Sequence, residues 1–331
     1  MLGNRRNDMK AVIFAFATIT AISASATWTV TTEGVRSGCT HVITDGNWKI
    51  GVYKYSDDNW NLCKGSGNGS GYVAGEGVLD LRNVTEETKS EAFPNGVILK
   101  GSNNGSMEDA KNKVTEVYLP DSFENMAGIF MKNDSTLTTV VFGAGIRKIG
   151  SQAFTYCTGL KTVEFSGGQP QLTYLGSEAF RGCTSLESTL DFSRCTFTEI
   201  QNYTLVDLKK VIEIRLPETL QTISGEAMGY NQRPRIVWFY GPPPTSITNS
   251  QALNSKGGSW VLVAGKKHAA EWKADANLQA FTGTEEATAK AAAESFGLTG
   301  VKPIGKWKYQ TGGYTHWVVE ELPKGLTICI M

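Results

Sequence analysis

Histidine is almost missing from this sequence: His41, His268 and His316 are the only three in 331 residues. None stands in an HExxH pair or in a Cys2His2 spacing, the patterns that bring imidazoles together on a zinc ion. No GxSxG turn surrounds a serine, so the nucleophile elbow of a hydrolase is absent too. A literal GxGxxA runs from Gly69 to Ala74, but it sits in a Gly/Ser-rich stretch with no apolar strand before it and no helix after it. A phosphate-binding turn needs both. An excess of one charge is lacking as well: 32 Lys and Arg balance 32 Asp and Glu. That leaves no electrostatic case for nucleic acid or an anionic membrane surface. No Thr-x-Thr ladder and no repeated Gly/Asp nonapeptide is present, which disfavours ice-binding and calcium-binding β-solenoids.

Long apolar runs are scarce. The first, residues 11–23, follows Arg5, Arg6 and Lys10 and precedes Ala24-Ser25-Ala26, a small-x-small cleavage site. The run is too short for a membrane span and reads as a secretory signal, residues 1–26, with the mature chain beginning at Thr27. No second run of spanning length follows, and no cysteine stands at the cleavage site. The expectation is an exported protein, extracellular or at the cell surface, with a periplasmic location also open, and with no membrane insertion once the signal is removed. Loss of Arg5, Arg6, Lys10 and Asp8 takes the formal charge from 0 to −2.

What is abundant is repetition. The segment LTTVVFGAGIRKIGSQAFTYCTG starts at Leu137 and recurs as LKTVEFSGGQPQLTYLGSEAFRGCTS from Leu160. Weaker copies bring the starts to Val114, Leu137, Leu160, Leu186, Val211 and Arg235, spaced 23, 23, 26, 25 and 24 residues apart. A near-constant period of this size means one short coil per copy, stacked so that neighbours bury the apolar face no coil can bury alone. The predicted fold is a mostly β repeat solenoid, leucine-rich-repeat-like, with one short parallel strand per coil of about 23–26 residues and small α/β caps at both ends. The divisions are 1–26 signal, 27–112 N-terminal strand-rich cap, 113–264 solenoid and 265–331 C-terminal cap of short helices and a hairpin.

Strand alternation assigns the inward pairs Val117/Leu119, Val140/Phe142, Val163/Phe165, Leu190/Phe192, Ile214/Leu216 and Trp238/Tyr240. A second inward set is Ile146/Ile149, Leu172/Leu175, Phe197/Ile200 and Leu220/Ile223. Gly150 and Gly176 are expected to permit a turn conformation closed to other residues. The residue between each inward strand pair must then point out. Stacked about 4.8 Å apart, Tyr118, Val141, Glu164, Asp191, Arg215 and Phe239 form one column, the candidate binding surface. Its aromatic residues and its arginine are the residue types that anchor recognition.

In the caps, THVIT-DG-NWKIGVYKY from Thr40 reads as a hairpin turning at Asp45-Gly46, with Trp48, Ile50 and Val52 inward. A short helix is expected around Trp272. A second begins at Thr284 and stops at Gly297. A hairpin turns at Gly312-Gly313, and residues 326–330 suggest a last strand. Cys157 and Cys183 occupy one repeat position and read as stacked core residues. Cys39 and Cys63 can form a disulfide in an exported protein. With His41 they can also supply three zinc ligands, without a fourth. Cys195 and Cys329 have no obvious partner.

Ile149-Gly150, Ala153-Phe154 and Cys157, then Leu175-Gly176, Ala179-Phe180 and Cys183, carry a G-x-x-A-F-x-x-C signature. With the skeleton around it, this closely resembles the BspA-type leucine-rich repeat of bacterial surface and secreted proteins. The fourth copy departs, with Gln201 and Thr204-Leu205, and the fifth with Ser224 and Ala227-Met228. The resemblance implies extracellular recognition or adhesion without a fixed ligand. The sequence therefore points to a non-enzymatic protein without a cofactor, whose partner is an extracellular protein or glycan. A structural envelope component is the alternative. An enzyme with a site in the N-terminal region ranks last, because no titratable residues converge there.

Overall fold

The computed structural model describes residues 27–64, 73–167, 170–187, 189–230, 235–254, 259–299, 301–309 and 315–321. The proposed signal, residues 69–72 of the GxGxxA stretch, the Gly312-Gly313 turn, the final strand and Cys329 lie outside them.

The repeats fold as coils with two strands each, one more than expected. The longer strands form a front face: Gly77–Asp80, Val114–Tyr118, Thr139–Phe142 and Thr162–Phe165 in one parallel sheet. Leu190–Asp191, Glu213–Leu216, Ile236–Phe239 and Val261–Ala264 then lie parallel in another. Two-residue strands form a back face, including Asn125–Met126, Lys148–Ile149 and Tyr174–Leu175, then Glu199–Ile200, Thr222–Ile223 and Ser246–Ile247. The parallel front face starts at Gly77, inside the segment assigned to the N-terminal cap and ahead of the expected solenoid start at 113. Both faces are interrupted between the third and fourth coils, where the longest repeat spacing falls.

A third ladder crosses that interruption. In the Ala-Phe segment, alternate amides donate to the next coil. Gln152 N reaches Ser177 O at 2.8 Å, Phe154 N reaches Ala179 O at 2.9 Å, and Tyr156 N reaches Arg181 O at 2.7 Å. Glu178, Phe180 and Gly182 repeat the pattern onto Asn202, Thr204 and Val206 across the break. The conformation needs residues in the left-handed region: φ is +60° at Gln152, +57° at Tyr156, +58° at Glu178 and +57° at Tyr203. Each costs roughly 1 kcal/mol, offset by the hydrogen bonds to the neighbouring coil.

Gly150 and Gly176 are needed for a different reason from the one expected. Neither has positive φ. A Cβ on Gly150 would stand 2.5 Å from Ala127 C, and one on Gly176 would stand 2.4 Å from Ser151 N. The coils approach each other too closely there for any side chain.

Side chains from the three ladders fill one continuous core. Of the expected inward set, Ile146, Ile149, Leu172, Leu175, Phe197, Ile200, Leu220 and Ile223 are all buried. Phe154 and Phe180 stack with centroids 5.5 Å apart and planes 12° apart. Cys157 and Cys183 are buried in the same core, as the repeat position implies. Their thiols donate to Met131 O and Phe154 O, and burial pushes the Cys157 thiol up to about 12 and Cys183 up as well. Burial likewise pushes Cys195 up to about 12. These thiols are core atoms, not nucleophiles.

The N-terminal cap continues the back face. Thr29–Thr31, His41–Thr44, Lys49–Ser56 and Asn59–Leu62 pair antiparallel in order, and the last joins Leu99–Ser102 in parallel. Trp48, Ile50 and Val52 face inward, fully buried. The hairpin pairs Thr44 with Lys49, and Asp45 N donates to Trp48 O at 3.3 Å, so the turn centres on Gly46-Asn47, one residue past the Asp45-Gly46 turn expected. Asp45 Oδ1 closes it by accepting from Asn47 N and Trp48 N at 3.0 and 2.6 Å. Cys39 and Cys63 are disulfide-bonded, with Cα atoms 5.9 Å apart.

The C-terminal cap continues the front face. His316–Glu321 adds in parallel to Val261–Ala264, then Val301–Trp307 and Leu278–Gln279 add antiparallel. The helix Ala269–Ala274 buries Trp272 as expected. The helix Glu285–Ser295 follows Thr284, whose side chain makes no capping bond. Glu285 instead accepts from Thr282 N at 2.7 Å.

Candidate interaction surfaces

The front-face column is assembled partly as predicted. Tyr118 pairs with Val141, Val141 with Glu164, and Asp191 with Arg215. Arg215 then pairs with Trp238, not Phe239. The sixth coil is therefore shifted by one residue, which exchanges its two faces. Phe239 points inward, 2% exposed, against Trp272 at 5.1 Å. Val237 and Phe239 are the inward pair, and Trp238 and Tyr240 are the outward one. Residues 235–240 are apolar on both faces apart from Arg235, so no alternation marked the register. They are apolar on both faces because both are covered: Ile236, Val261, Val263 and Val319 pack beneath Ala293, Phe296 and Leu298 of the last helix and the turn after it.

The other end of the column is covered too. Arg82, paired with Asp80, lies 4.4 Å over the Tyr118 ring. The Tyr118 hydroxyl donates to Glu116 at 2.5 Å, and burial first, then that bond, pushes the phenol up to about 12. Only 8% of Tyr118 is exposed. Val141, Glu164, Asp191 and Arg215 remain accessible between the covered ends. Arg215 is held by Asp191 at 3.2 Å and Glu213 at 2.8 Å. It lies 6.0 Å over Trp238, which stacks on Tyr240.

Sequence reasoning missed a second surface, along the third ladder. Arg181 lies 5.5 Å from the Tyr156 ring and 4.6 Å from the Tyr203 ring, and it pairs with Glu178 at 2.9 Å. Tyr156 and Tyr203 are both left-handed residues. The signal that would have found them is a bulky residue in the G-x-x-A-F segment outside its apolar positions, because the left-handed backbone turns such side chains outward.

The candidate chemical residues are not brought together. His41 packs edge-on against Trp60 and Phe93, at 4.9 and 5.4 Å, in the N-terminal cap. His268 bonds Glu218 and Glu271 at the surface. His316 is buried at the opposite end and stacked on Trp260 at 5.1 Å. Cys39 and Cys63 are consumed by their disulfide, so they offer no thiolate pair beside His41.

Stacked parallel strands, one continuous core and two covered ends define a leucine-rich-repeat solenoid. Residues 111–237 match the BspA type Leucine rich repeat region in six copies. Among solved structures, it is similar to a leucine-rich repeat protein from Bacteroides ovatus at 14% identity and TM-score 0.31, covering 65% of this chain and 69% of that one. It is also similar to a leucine rich cell surface protein from Faecalibacterium prausnitzii at 11% identity and TM-score 0.21, covering 69% and 89%. The pneumococcal vaccine antigen PcpA matches at 11% identity and TM-score 0.19, covering 70% and 83%. No curated protein matches the chain.

Proposed function

We propose that this protein is exported and recognises an extracellular protein or glycan through the exposed middle of its front face. The observation that carries the reading is the asymmetry of cover. The chain's own caps occupy both ends of the face, over Tyr118 and over Ile236, Val261 and Val263. A strip containing Val141, Glu164, Asp191 and Arg215 is left open. Its charged groups are partly pre-organised by the Arg215 pairs, which lowers the cost of ordering them on binding. The repeat family supports recognition as the role, and the candidate signal segment supports export. No helix among the described residues is long and apolar enough to cross a membrane. A structural role without a discrete ligand is the second reading, favoured by an array that satisfies itself coil to coil.

The test is direct binding of the secreted chain to immobilised matrix proteins and to a glycan panel. The Glu164→Ala/Arg215→Ala variant is then measured on whichever partner is retained. Unchanged affinity in a folded variant places the site elsewhere. Absence of any partner, together with ordered arrays in electron micrographs of the cell envelope, supports the structural reading instead.

A further inference from the structure

We propose that a groove on the back face of the N-terminal cap binds a neutral saccharide. This goes beyond the front-face reading, since it uses another sheet and other residues. The site is an open groove of about 340 Å³ where Asn59–Leu62, Leu99–Ser102 and Asn125–Met126 run side by side. Its floor is Gly101, which pairs with Asn61 on one side and Asn125 on the other. A Cβ at Gly101 would lie 2.5 Å from Asn125 O, with Asn61 Oδ1 at 3.3 Å and Asn125 Cβ at 3.4 Å, so the strands approach too closely for any side chain there and both asparagine side chains stand beside the glycine. Two interstrand steps, about 10 Å, separate those two strands, a span suited to a disaccharide.

The lining chemistry favours hydroxyl groups. The side-chain amides of Asn59, Asn61 and Asn125 make no hydrogen bond to another side chain or to backbone among the described residues. Each offers two donors and an acceptor, the mixed set that vicinal hydroxyls satisfy. Lys100 and Glu124 form the rim and neutralise each other at 2.7 Å. Asp58, also on the lining, leaves no excess positive charge to attract a phosphate or carboxylate ligand.

An aromatic platform stands at the side. Tyr53 is the register partner of Asn61, and Tyr55, at the bulge that follows, brings its ring beside that of Tyr53. The two rings lie 4.7 Å apart and are 36% and 59% exposed. The electron-rich face of an exposed tyrosine takes the polarised C–H face of a pyranose. Amides for the hydroxyls beside aromatic rings for the C–H face make a complete saccharide site. An apolar peptide would leave the amides unpaired at a cost.

The test uses the full secreted chain on a panel of short neutral oligosaccharides of glucose, mannose, galactose, xylose and N-acetylglucosamine. Retention of at least one member is expected. The Asn61→Ala/Asn125→Ala variant should weaken its binding at least about ten-fold, the loss of two hydrogen bonds. Tyr55→Ala, at an exposed position that leaves folding intact, should weaken it several-fold. Lys290→Ala, on the far helix, should leave it unchanged. The proposal is overturned if the wild type retains no member, or if both groove variants bind as the wild type does. It is also overturned if binding is lost only in Glu164→Ala/Arg215→Ala, which would assign the sugar to the front face.

Discussion

The two ends of this solenoid solve one problem by different means. A stack of coils must end with a sheet edge and a bare core, both of which invite association. The N-terminal end extends the back face with antiparallel strands and covers the front edge from the side. Trp48 Nε1 and Trp28 Nε1 donate to Val78 O and Asp80 O, carbonyls of the first front strand, at 2.7 and 3.0 Å. A disulfide holds this cap. The C-terminal end extends the front face instead and has no described disulfide. It relies on aromatic packing: Trp272 lies against Phe239 and Trp307, and its Nε1 donates to Gly241 O at 3.1 Å. One end adds a covalent link to its buried packing and the other relies on packing alone, so they should fail under different conditions.

The largest expected effect is at the aromatic end. Trp272→Ala should cost about 3–5 kcal/mol, through lost burial and the cavity left behind. Thermal melts measure it, and hydrogen exchange should rise in His316–Glu321 before it rises in His41–Thr44.

Acid should act on the same end. Burial pushes His316 from its ordinary 6.5 down to about 3. A depressed pKa means the folded state resists protonation that the unfolded chain accepts. The stabilisation is therefore complete above about pH 6.5 and declines as pH falls towards 3, by up to roughly 4–5 kcal/mol. His316→Gln should flatten stability against pH over that window. His41 is also lowered, by burial first and then by Lys54, but it is only partly buried, so His41→Gln should change the profile less.

Reduction should act on the other end. Opening Cys39–Cys63, 24 residues apart, removes a constraint worth about 3 kcal/mol on the loop-closure model. Under a reductant, exchange should rise in His41–Thr44 and Lys49–Ser56 while Val301–Trp307 stays protected. Equal loss at both ends would show a single cooperative unit and erase the contrast.

The smallest effect is a gain. Arg235 is buried against Trp260 at 5.2 Å; among the described residues Nη2 donates to Leu208 O, and Nε and Nη1 have no partner. Burial pushes its guanidinium down to about 9. Arg235→Met should raise stability by about 1 kcal/mol, since a buried unpaired cation is replaced by an apolar chain of similar length.

Much of this was legible in residue order. The period located the coils, and alternation placed Phe142 in the core. The Ala-Phe-Cys pattern identified the buried thiols. Tryptophan usage also marked the ends: all eight lie at or before Trp60 or from Trp238 onward, with none in the coils between.

The repeat alone determined that this chain stacks coils, because apolar residues at a fixed spacing can be buried together only by a neighbour of the same shape. Tertiary structure alone decided the rest. The third ladder depends on left-handed Gln152, Tyr156 and Glu178, whose strain is offset only when the next coil is present to accept their bonds. The sixth coil's register depends on the helix Glu285–Ser295, more than 40 residues away in sequence, covering a face that alternation would have left to water. The back-face groove depends on Asn61, Gly101 and Asn125, far apart in sequence and neighbours only because parallel strands align them. Local pattern determines what each coil must bury, and contact between distant segments determines which surfaces stay open.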